Sequence, residues 1–458
     1  MDNQARSSAR ARIQALLDES SFVEIGALVQ ARATDFNMAE KKAPSDGVVT
    51  AYGTIDGRLV YVYAQDASVL GGSMGEMHAR KIANLYDMAM KMGAPVIALT
   101  DCSGLRLEEA NDALFGMGRI YHKQTLASGV IPQLAAVFGT SGGGMSVLTA
   151  LSDFVFLEKE HSRLFLNAPD AVFGNKDDAI AKAESQMENG AADFAGTEEE
   201  ILAEIRRLIA ILPSNNEDFG AVEECTDDLN RSVAGIEKLG GAEAVKLLAD
   251  NGIFVQTRRD FAQDLVTGFI QLNGQTTGVV ATTEEALRWK GAEQAAALVN
   301  FCDAFELPVL TLTNVRSYYN NECNERKMPR AAAKLAAAYS NASVPMVTVV
   351  KNAIGTAGLT LGSKALGIDY VYAYPDSKLG VMDAKKAAEI LAAEQDEAGK
   401  AAIAKEFDEK KNSALSAAQR GYVDDLIRPE ETRQRIIAAF EMLCTKSVYR
   451  PDKKHGTV

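Results

Sequence analysis

Histidine is scarce in this chain of 458 residues, which has only His78, His122, His161 and His455. That leaves few imidazoles for a catalytic triad. The five cysteines, Cys102, Cys225, Cys302, Cys323 and Cys444, are odd in number and scattered. Such spacing argues against a disulfide framework or a zinc site and predicts reduced thiols in a cytoplasm. No run of 18 apolar residues occurs, so no membrane-spanning helix is expected. The opening residues, Met1 to Arg6, are polar and lack the apolar core of a signal peptide. Positive charge is also short: the net charge is −14 and the pI about 5.0. That balance disfavours nonspecific nucleic-acid binding and suits a soluble enzyme, while leaving room for a local basic pocket. What remains is ordinary globular composition, 47% apolar and 24% charged, in a chain long enough for two or three domains.

Against this background one stretch stands out. Val130-Ile131-Pro132-Gln133-Leu134-Ala135-Ala136-Val137-Phe138 is a short apolar run, and Gly139-Thr140-Ser141-Gly142-Gly143-Gly144-Met145 follows it. The pattern predicts a buried strand, a sharp glycine turn, a helix over 146–152 and a further strand over 153–157. Where a helix starts, its first N–H groups have no intrahelical partner. Such a turn can hold an anion or a developing oxyanion; it can equally be a tight turn with no ligand. Gly139 to Gly143 also fits G-x-S-x-G, the nucleophile elbow of serine hydrolases. A triad would need a histidine, and only His161 and His455 follow Ser141. The pentapeptide by itself does not establish a hydrolase.

Taken in order, residues 8–18 read as an amphipathic helix. Residues 48–55 and 58–64 form a hairpin around Asp56-Gly57. Gly71-Gly72-Ser73-Met74-Gly75 precedes a helix over about 76–92. Residues 94–101 are a buried strand, and 112–127 are helical before the glycine strand. The second half repeats this order. Asn273-Gly274 matches the hairpin turn, 290–305 the helix, 307–314 the strand and 344–350 the glycine strand, which ends at Gly355-Thr356-Ala357-Gly358. Pro95 to Pro308 (308 − 95 = 213) and Pro132 to Pro345 (345 − 132 = 213) share one offset. At that offset Gly142, Gly143 and Gly144 fall on Gly355, Thr356 and Ala357, and Ser141 falls on Ile354. The halves share a flexible turn and not a serine. An α/β fold of two domains is expected, 1–230 and 231–458, with a polar linker at 217–230.

At these residues the chain resembles a known family. Gly57 to Tyr61, Gly71 to Ala79, Ala127 to Gln133, Phe301 to Phe305 and Arg420 to Asp425 are similar to the biotin-dependent acyl-CoA carboxyltransferases. These include the propionyl-CoA carboxylase β subunit and the methylmalonyl-CoA and glutaconyl-CoA decarboxylase α subunits. Leu212 to Asn216 and Lys453 to Gly456 look most like the decarboxylase branch. The resemblance implies two crotonase-like domains related by duplication and a ring-shaped homohexamer. It places the active site at a dimer interface, with acyl-CoA on the first domain of one chain and biotin on the second domain of another. It further implies that biotin arrives on a separate carrier protein, that no metal is required, and that membrane decarboxylase subunits are possible partners.

The chemistry passes through an enolate, whose oxygen needs fixed donors. The resemblance assigns these to backbone N–H groups of Gly143 and Gly144, and the donors for biotin's ureido oxygen to Thr356 and Ala357. Gly104, Arg106, Gly142, Gly355 and Leu359 are the expected substrate contacts. Arg106 either faces CoA phosphate or pairs with Glu108 or Glu109. Cys102 is read as a packing residue. The chain also departs from the family pattern. The family's D-S-G-G-A-R is here Asp101-Cys102-Ser103-Gly104-Leu105-Arg106. A histidine after G-x-x is Asp193. The glycine-rich segment lining the biotin site is replaced by Asn314 to Asn320 and Lys327 to Arg330. Leu359 stands where propionyl-type enzymes carry an acid. Alternatives therefore stay open: a carboxylase β subunit, a biotin-independent crotonase-type enzyme, or a non-catalytic scaffold.

Overall fold

The structure, a computed structural model, describes residues 8–218, 224–451 and 453–458. The polar residues 1–7, residues 219–223 of the expected linker, and Asp452 of the tail lie outside the described residues. The chain divides into two compact units, Met1–Gly220 with Arg258–Asp260, and Ala221–Thr257 with Phe261–Val458.

The first unit opens with helix α1 (Ala9–Leu16), capped by Ser8. Its main sheet holds β1 (Val23–Ile25), β2 (Val48–Ile55), β3 (Arg58–Gln65), β4 (Val96–Cys102), β5 (Gln133–Gly142), β6 (Phe154–Glu158) and β8 (Phe194–Gly196) in that order, and β7 (Arg163–Phe165) pairs with the far end of β5. The β2–β3 turn is Asp56-Gly57, both with positive φ (50° and 79°), as a type I′ hairpin requires. Asp18 receives both turn N–H groups and the Arg206 guanidinium, which hold its carboxyl well below the usual range. From β3 onward the strands run parallel. Every residue of β4 is buried, as expected for a strand covered on both faces. Helices α2 (Glu76–Met92) and α3 (Ala110–Ala127) cross between strands. They bury Ile82, Leu85, Tyr86 and Ile120 in one core with Val96 and Ala98. Helix α4 (Gly144–Ala150) follows β5, and α5 (Glu198–Ile211) starts at a Thr197–Glu200 capping box.

The second unit repeats the plan. Its sheet order is β9 (Val255–Thr257), β10 (Leu265–Leu272), β11 (Gln275–Thr282), β12 (Val309–Val315), β13 (Met346–Ile354), β14 (Tyr370–Gly380) and β15 (Asp425–Leu426). Asn273-Gly274 again takes positive φ at both turn residues (53° and 71°), and Asp250 accepts both N–H groups. Helices α6 (Trp289–Ala304) and α7 (Glu322–Asn341) match α2 and α3, and α8 (Gly355–Thr360) matches α4. Strand registers share the 213-residue offset: Val96 faces Gln133 and Val309 faces Met346. A short parallel bridge, Ser73–Met74 with Gly104–Leu105, recurs as Ala286–Leu287 with Ser317–Tyr318. Among the described residues no helix is long and apolar enough to cross a membrane.

Candidate active site: two glycine turns

The first turn is made by a bulge. Thr100 faces Val137 and Cys102 faces Ser141, so β5 carries two extra residues against the end of β4. Bulges re-aim a strand's end, and here the strand stops at Gly142. Gly143 then adopts φ +59° and ψ −130°, a conformation side chains rarely take. Helix α4 starts one residue later. A Cβ on Gly142 would lie 2.7 Å from the Phe165 ring, and one on Gly144 2.2 Å from Met117 Sδ. The turn is pinned by the Tyr121 hydroxyl donating to the Gly144 carbonyl (2.6 Å) and Ser146 Oγ donating to that of Gly143 (2.7 Å).

This geometry engages one of the two expected N–H donors. The Gly143 N–H donates to the Phe165 carbonyl at 3.0 Å, so it is not available to an enolate. The first N–H groups without a backbone acceptor among the described residues belong to Gly144 and Met145, at the start of α4. Gly143 serves through its φ, and a Cβ there would meet nothing within 4 Å. Ser141 is fully buried, with its hydroxyl 2.9 Å from Thr149 Oγ1. It cannot act as an exposed nucleophile.

The second turn is one residue shorter. Thr313 faces Val350 and Val315 faces Ala353, so β13 bulges by one residue where β5 bulges by two. The positive-φ glycine is Gly355 (+65°), and its partner is Gly143, at an offset of 355 − 143 = 212. This shifts the sequence alignment of the turns by one residue: Gly144 and Met145 correspond to Thr356 and Ala357, the second and third residues of α8. The two turns then match in the positive-φ glycine, while Gly143 precedes its helix and Gly355 opens its own. A Cβ on Gly358 would sit 2.5 Å from the Ala353 carbonyl carbon, which lets α8 lie directly on β13. Leu359 is 42% exposed and lines a cavity of about 720 Å³ beside this turn.

Arg106 takes the role of an ion-pair partner and is corrected as a substrate contact. It is 1% exposed. Its Nη1 donates to Asp46 (2.5 Å) and Glu109 (2.7 Å), and Nη2 donates to the Ser73 carbonyl (2.8 Å). No face remains for a phosphate. Around it lie His78, whose Nδ1 is 2.9 Å from the Asp46 carbonyl, and Gln65. Burial and the Arg106 charge push His78 down to about 3. The chain's spacing held no hint of this cluster, because Asp46 and Arg106 are far apart in sequence. Gly104 lies at φ +122° in the bridge to Ser73. Cys102 is buried, and its thiol is pushed up to about 11 by burial; it packs, as expected. Asp193 accepts from the Val155 and Arg258 N–H groups in a buried setting, and burial raises its pKa. Among the described residues no cluster of three or more His, Cys, Asp or Glu is placed to hold a metal.

Two parallel-sheet units, each ending its central strand in a glycine turn that opens a helix, define a tandem crotonase-like α/β protein. The sequence matches the carboxyl transferase domain over residues 2–458. It is 39% identical to the propionyl-CoA carboxylase beta chain of Roseobacter denitrificans, over 98% of this chain and 93% of that one. It is 36% identical to the methylmalonyl-CoA decarboxylase subunit alpha of Veillonella parvula, over 99% and 93%. The fold superposes on the hexameric transcarboxylase 12S, solved with methylmalonyl-CoA and methylmalonic acid bound, with a TM-score of 0.95. Identity there is 33%, and the match covers 99% of this chain and 93% of that one. The chain belongs to the carboxyl transferase family, and it is an enzyme of that class.

Proposed function

We propose that this chain moves a carboxyl group between an acyl-CoA and biotin held on a separate carrier, as the carboxyltransferase subunit of a decarboxylase complex. The observation that carries this is the pair of matched turns. Each sets a positive-φ glycine, just before α4 in the first unit and at the first position of α8 in the second, and the two N–H groups that follow it have no backbone acceptor among the described residues. In the first unit, Gly144 and Met145 hold the thioester oxygen as it becomes an enolate. Fixed dipoles aimed at developing charge are the largest single source of rate in such chemistry. In the second unit, Thr356 and Ala357 would hold the ureido oxygen of biotin, whose nitrogen would supply the site that gives or receives the carboxyl group. Gly104, Gly142, Gly355 and Leu359 shape the two clefts. The open space over Gly143 speaks against a scaffold with an occluded turn. A homohexamer, as transcarboxylase 12S forms, supplies the composite site.

The test is to incubate the purified chain with a panel of carboxyacyl-CoAs, with and without a biotinylated carrier domain, and follow carbon dioxide release. Release that requires biotin is expected. Release independent of biotin would replace this reading with a biotin-independent crotonase-type enzyme.

A further inference from the structure

Both donors of the first turn are backed by a hydroxyl, and neither donor of the second turn is. The Gly144 N–H shares a peptide unit with the Gly143 carbonyl, and the Met145 N–H shares one with the Gly144 carbonyl. Ser146 Oγ donates to the Gly143 carbonyl at 2.7 Å, and the Tyr121 hydroxyl donates to the Gly144 carbonyl at 2.6 Å. Each of these peptide units therefore carries a hydroxyl on its oxygen, while its N–H has no backbone acceptor among the described residues. The two hydroxyls come from separate elements, Tyr121 from α3 and Ser146 from the start of α4.

The second turn has neither. At the 213-residue offset Tyr121 becomes Lys334 (121 + 213), which pairs with Glu293 at 2.9 Å. At the 212-residue offset of the turns Ser146 becomes Gly358 (146 + 212), where a Cβ would sit 2.5 Å from the Ala353 carbonyl carbon. The Thr360 hydroxyl donates to the Ala357 carbonyl (3.1 Å), one peptide beyond the pair.

We infer that Tyr121 and Ser146 are positioning residues of the acyl side, which strengthen the Gly144 and Met145 N–H groups as donors to an enolate oxygen. This rests on the reading that those two N–H groups hold that oxygen. Resonance joins the carbonyl and the N–H of one peptide. A donor on the oxygen draws electron density from the nitrogen and leaves the N–H more positive, by about 10–30% in bond strength. The hydroxyls also fix both peptide planes, so the donors need not reorient as charge develops. A neutral thioester gains little from this and an enolate gains most, so the effect falls on the chemical step.

The test is steady-state kinetics on the native assembly, with a biotinylated carrier domain and the fastest carboxyacyl-CoA of the panel above. Tyr121→Phe and Ser146→Ala should each lower kcat about 3- to 10-fold, and the pair together about tenfold or more. KM for the CoA ester and for the carrier should stay within about twofold. Ser146→Thr returns a hydroxyl and should return kcat. A second readout needs no turnover. In a deuterated chain isotope-labelled at methionine nitrogen, the Met145 amide, assigned by its loss in Met145→Leu, should move upfield in Tyr121→Phe. If Gly143→Ala loses turnover while Tyr121→Phe and Ser146→Ala keep theirs, the enolate site stands and this inference falls. If all three keep full turnover, the enolate reading falls with it. An unmoved Met145 amide, or a KM that rises in step with the loss of kcat, reduces the hydroxyls to packing and overturns the inference.

Discussion

In the first unit a guanidinium is buried beside the start of α2, and in the second a guanidinium lies beside the start of α6. They come from opposite members of the same residue pair. In the first, Arg106 fills the space over Gly75, where a Cβ would sit 2.3 Å from its Nη1. At the 213-residue offset these positions become Tyr319 (106 + 213) and Arg288 (75 + 213). There the guanidinium of Arg288 lies 3.8 Å from the centre of the Tyr319 ring. The first arrangement is an ion cluster with Asp46 and Glu109, closed to water. The second is a cation–π contact, with Arg288 also paired to Glu284 at 3.0 Å and partly exposed. Duplication kept the sheet and the short bridge, while the contacts at the start of α2 and of α6 diverged. The first unit holds its loop with buried charge. The second uses the aromatic face of Tyr319.

The comparison breaks most sharply at Arg106. Removing one member of a buried ion cluster leaves its partners charged and unpaired, typically at a cost of about 3–5 kcal/mol. Arg106→Met should therefore lower unfolding free energy by that amount, read from denaturant midpoints. Arg288→Met removes a contact worth about 0.5–2 kcal/mol, so its loss should be clearly smaller. Equal losses would mean that the two supports are energetically alike, and that burial of the Arg106 cluster does not distinguish them.

Next in size is Gly143. A side chain there forces the backbone away from φ +59° and moves the Gly144 and Met145 N–H groups. Loss of an oxyanion donor typically costs about 100- to 1000-fold in turnover. Gly143→Ala is expected to lose about 100-fold or more in turnover, with CoA-ester binding within about threefold. Ser141→Ala should leave turnover nearly unchanged, because its hydroxyl only meets Thr149. The opposite pattern, with Ser141→Ala dead and Gly143→Ala active, would revive a serine nucleophile and remove the enolate site.

The features behind these outcomes differ in legibility. The duplicated sheets were readable, because Pro95 with Pro308 and Pro132 with Pro345 mark one offset and the strands between them are rigidly spaced. The D-G and N-G turns were readable because few residues tolerate two successive positive φ values. The turn alignment was not, since the β5 bulge is one residue longer than the β13 bulge and a bulge leaves no periodic trace. That single residue leaves Gly144–Met145, in place of Gly143–Gly144, as the pair of N–H groups without a backbone acceptor among the described residues. Arg106 stayed ambiguous because only Glu109 is its neighbour in sequence, and Asp46 arrives through the fold. The cavity was invisible because its walls run from Thr313 to Tyr422, and no local pattern joins such distant segments.

A smaller effect is expected at Leu359. Its side chain adds apolar surface to the cavity wall, and Leu359→Asp would replace that surface with a charge. One methylene's worth of pocket contact changes selectivity by about 10- to 200-fold. The ranking of acyl-CoA chain lengths by kcat/KM should shift by at least about tenfold toward short chains. An unchanged ranking would separate this wall from acyl selection.

The smallest difference between the units is their response to acid. His78 is held down to about 3 by burial and by Arg106, against an ordinary value near 6.5. Between those values the unfolded chain binds a proton that the folded chain refuses. The stability His78 contributes is therefore fully present above pH 6.5 and is lost as pH falls toward 3. The matching position in the second unit is Gly291 (78 + 213), which does not titrate. There a Cβ would lie 2.3 Å from Asp264 Oδ2, and burial raises the Asp264 carboxyl to about 6. For that group the sign reverses: the folded state holds the proton more tightly, so its stability is present at low pH and lost as pH rises through 6. Raised aspartates in the first unit, such as Asp153 at about 7, also act in this reversed sense, so the whole-chain profile mixes both. Variants separate them. Between pH 7.5 and 5.5 the His78 contribution should fall by about 1 kcal/mol. Protection of β4 and β5 amides from hydrogen exchange should fall in the parent by that much more than in His78→Gln. Asp264→Asn should instead remove an acid-side gain in β12 and β13. If His78→Gln leaves the pH slope of the first unit unchanged, the imidazole is not the group that makes the two halves differ.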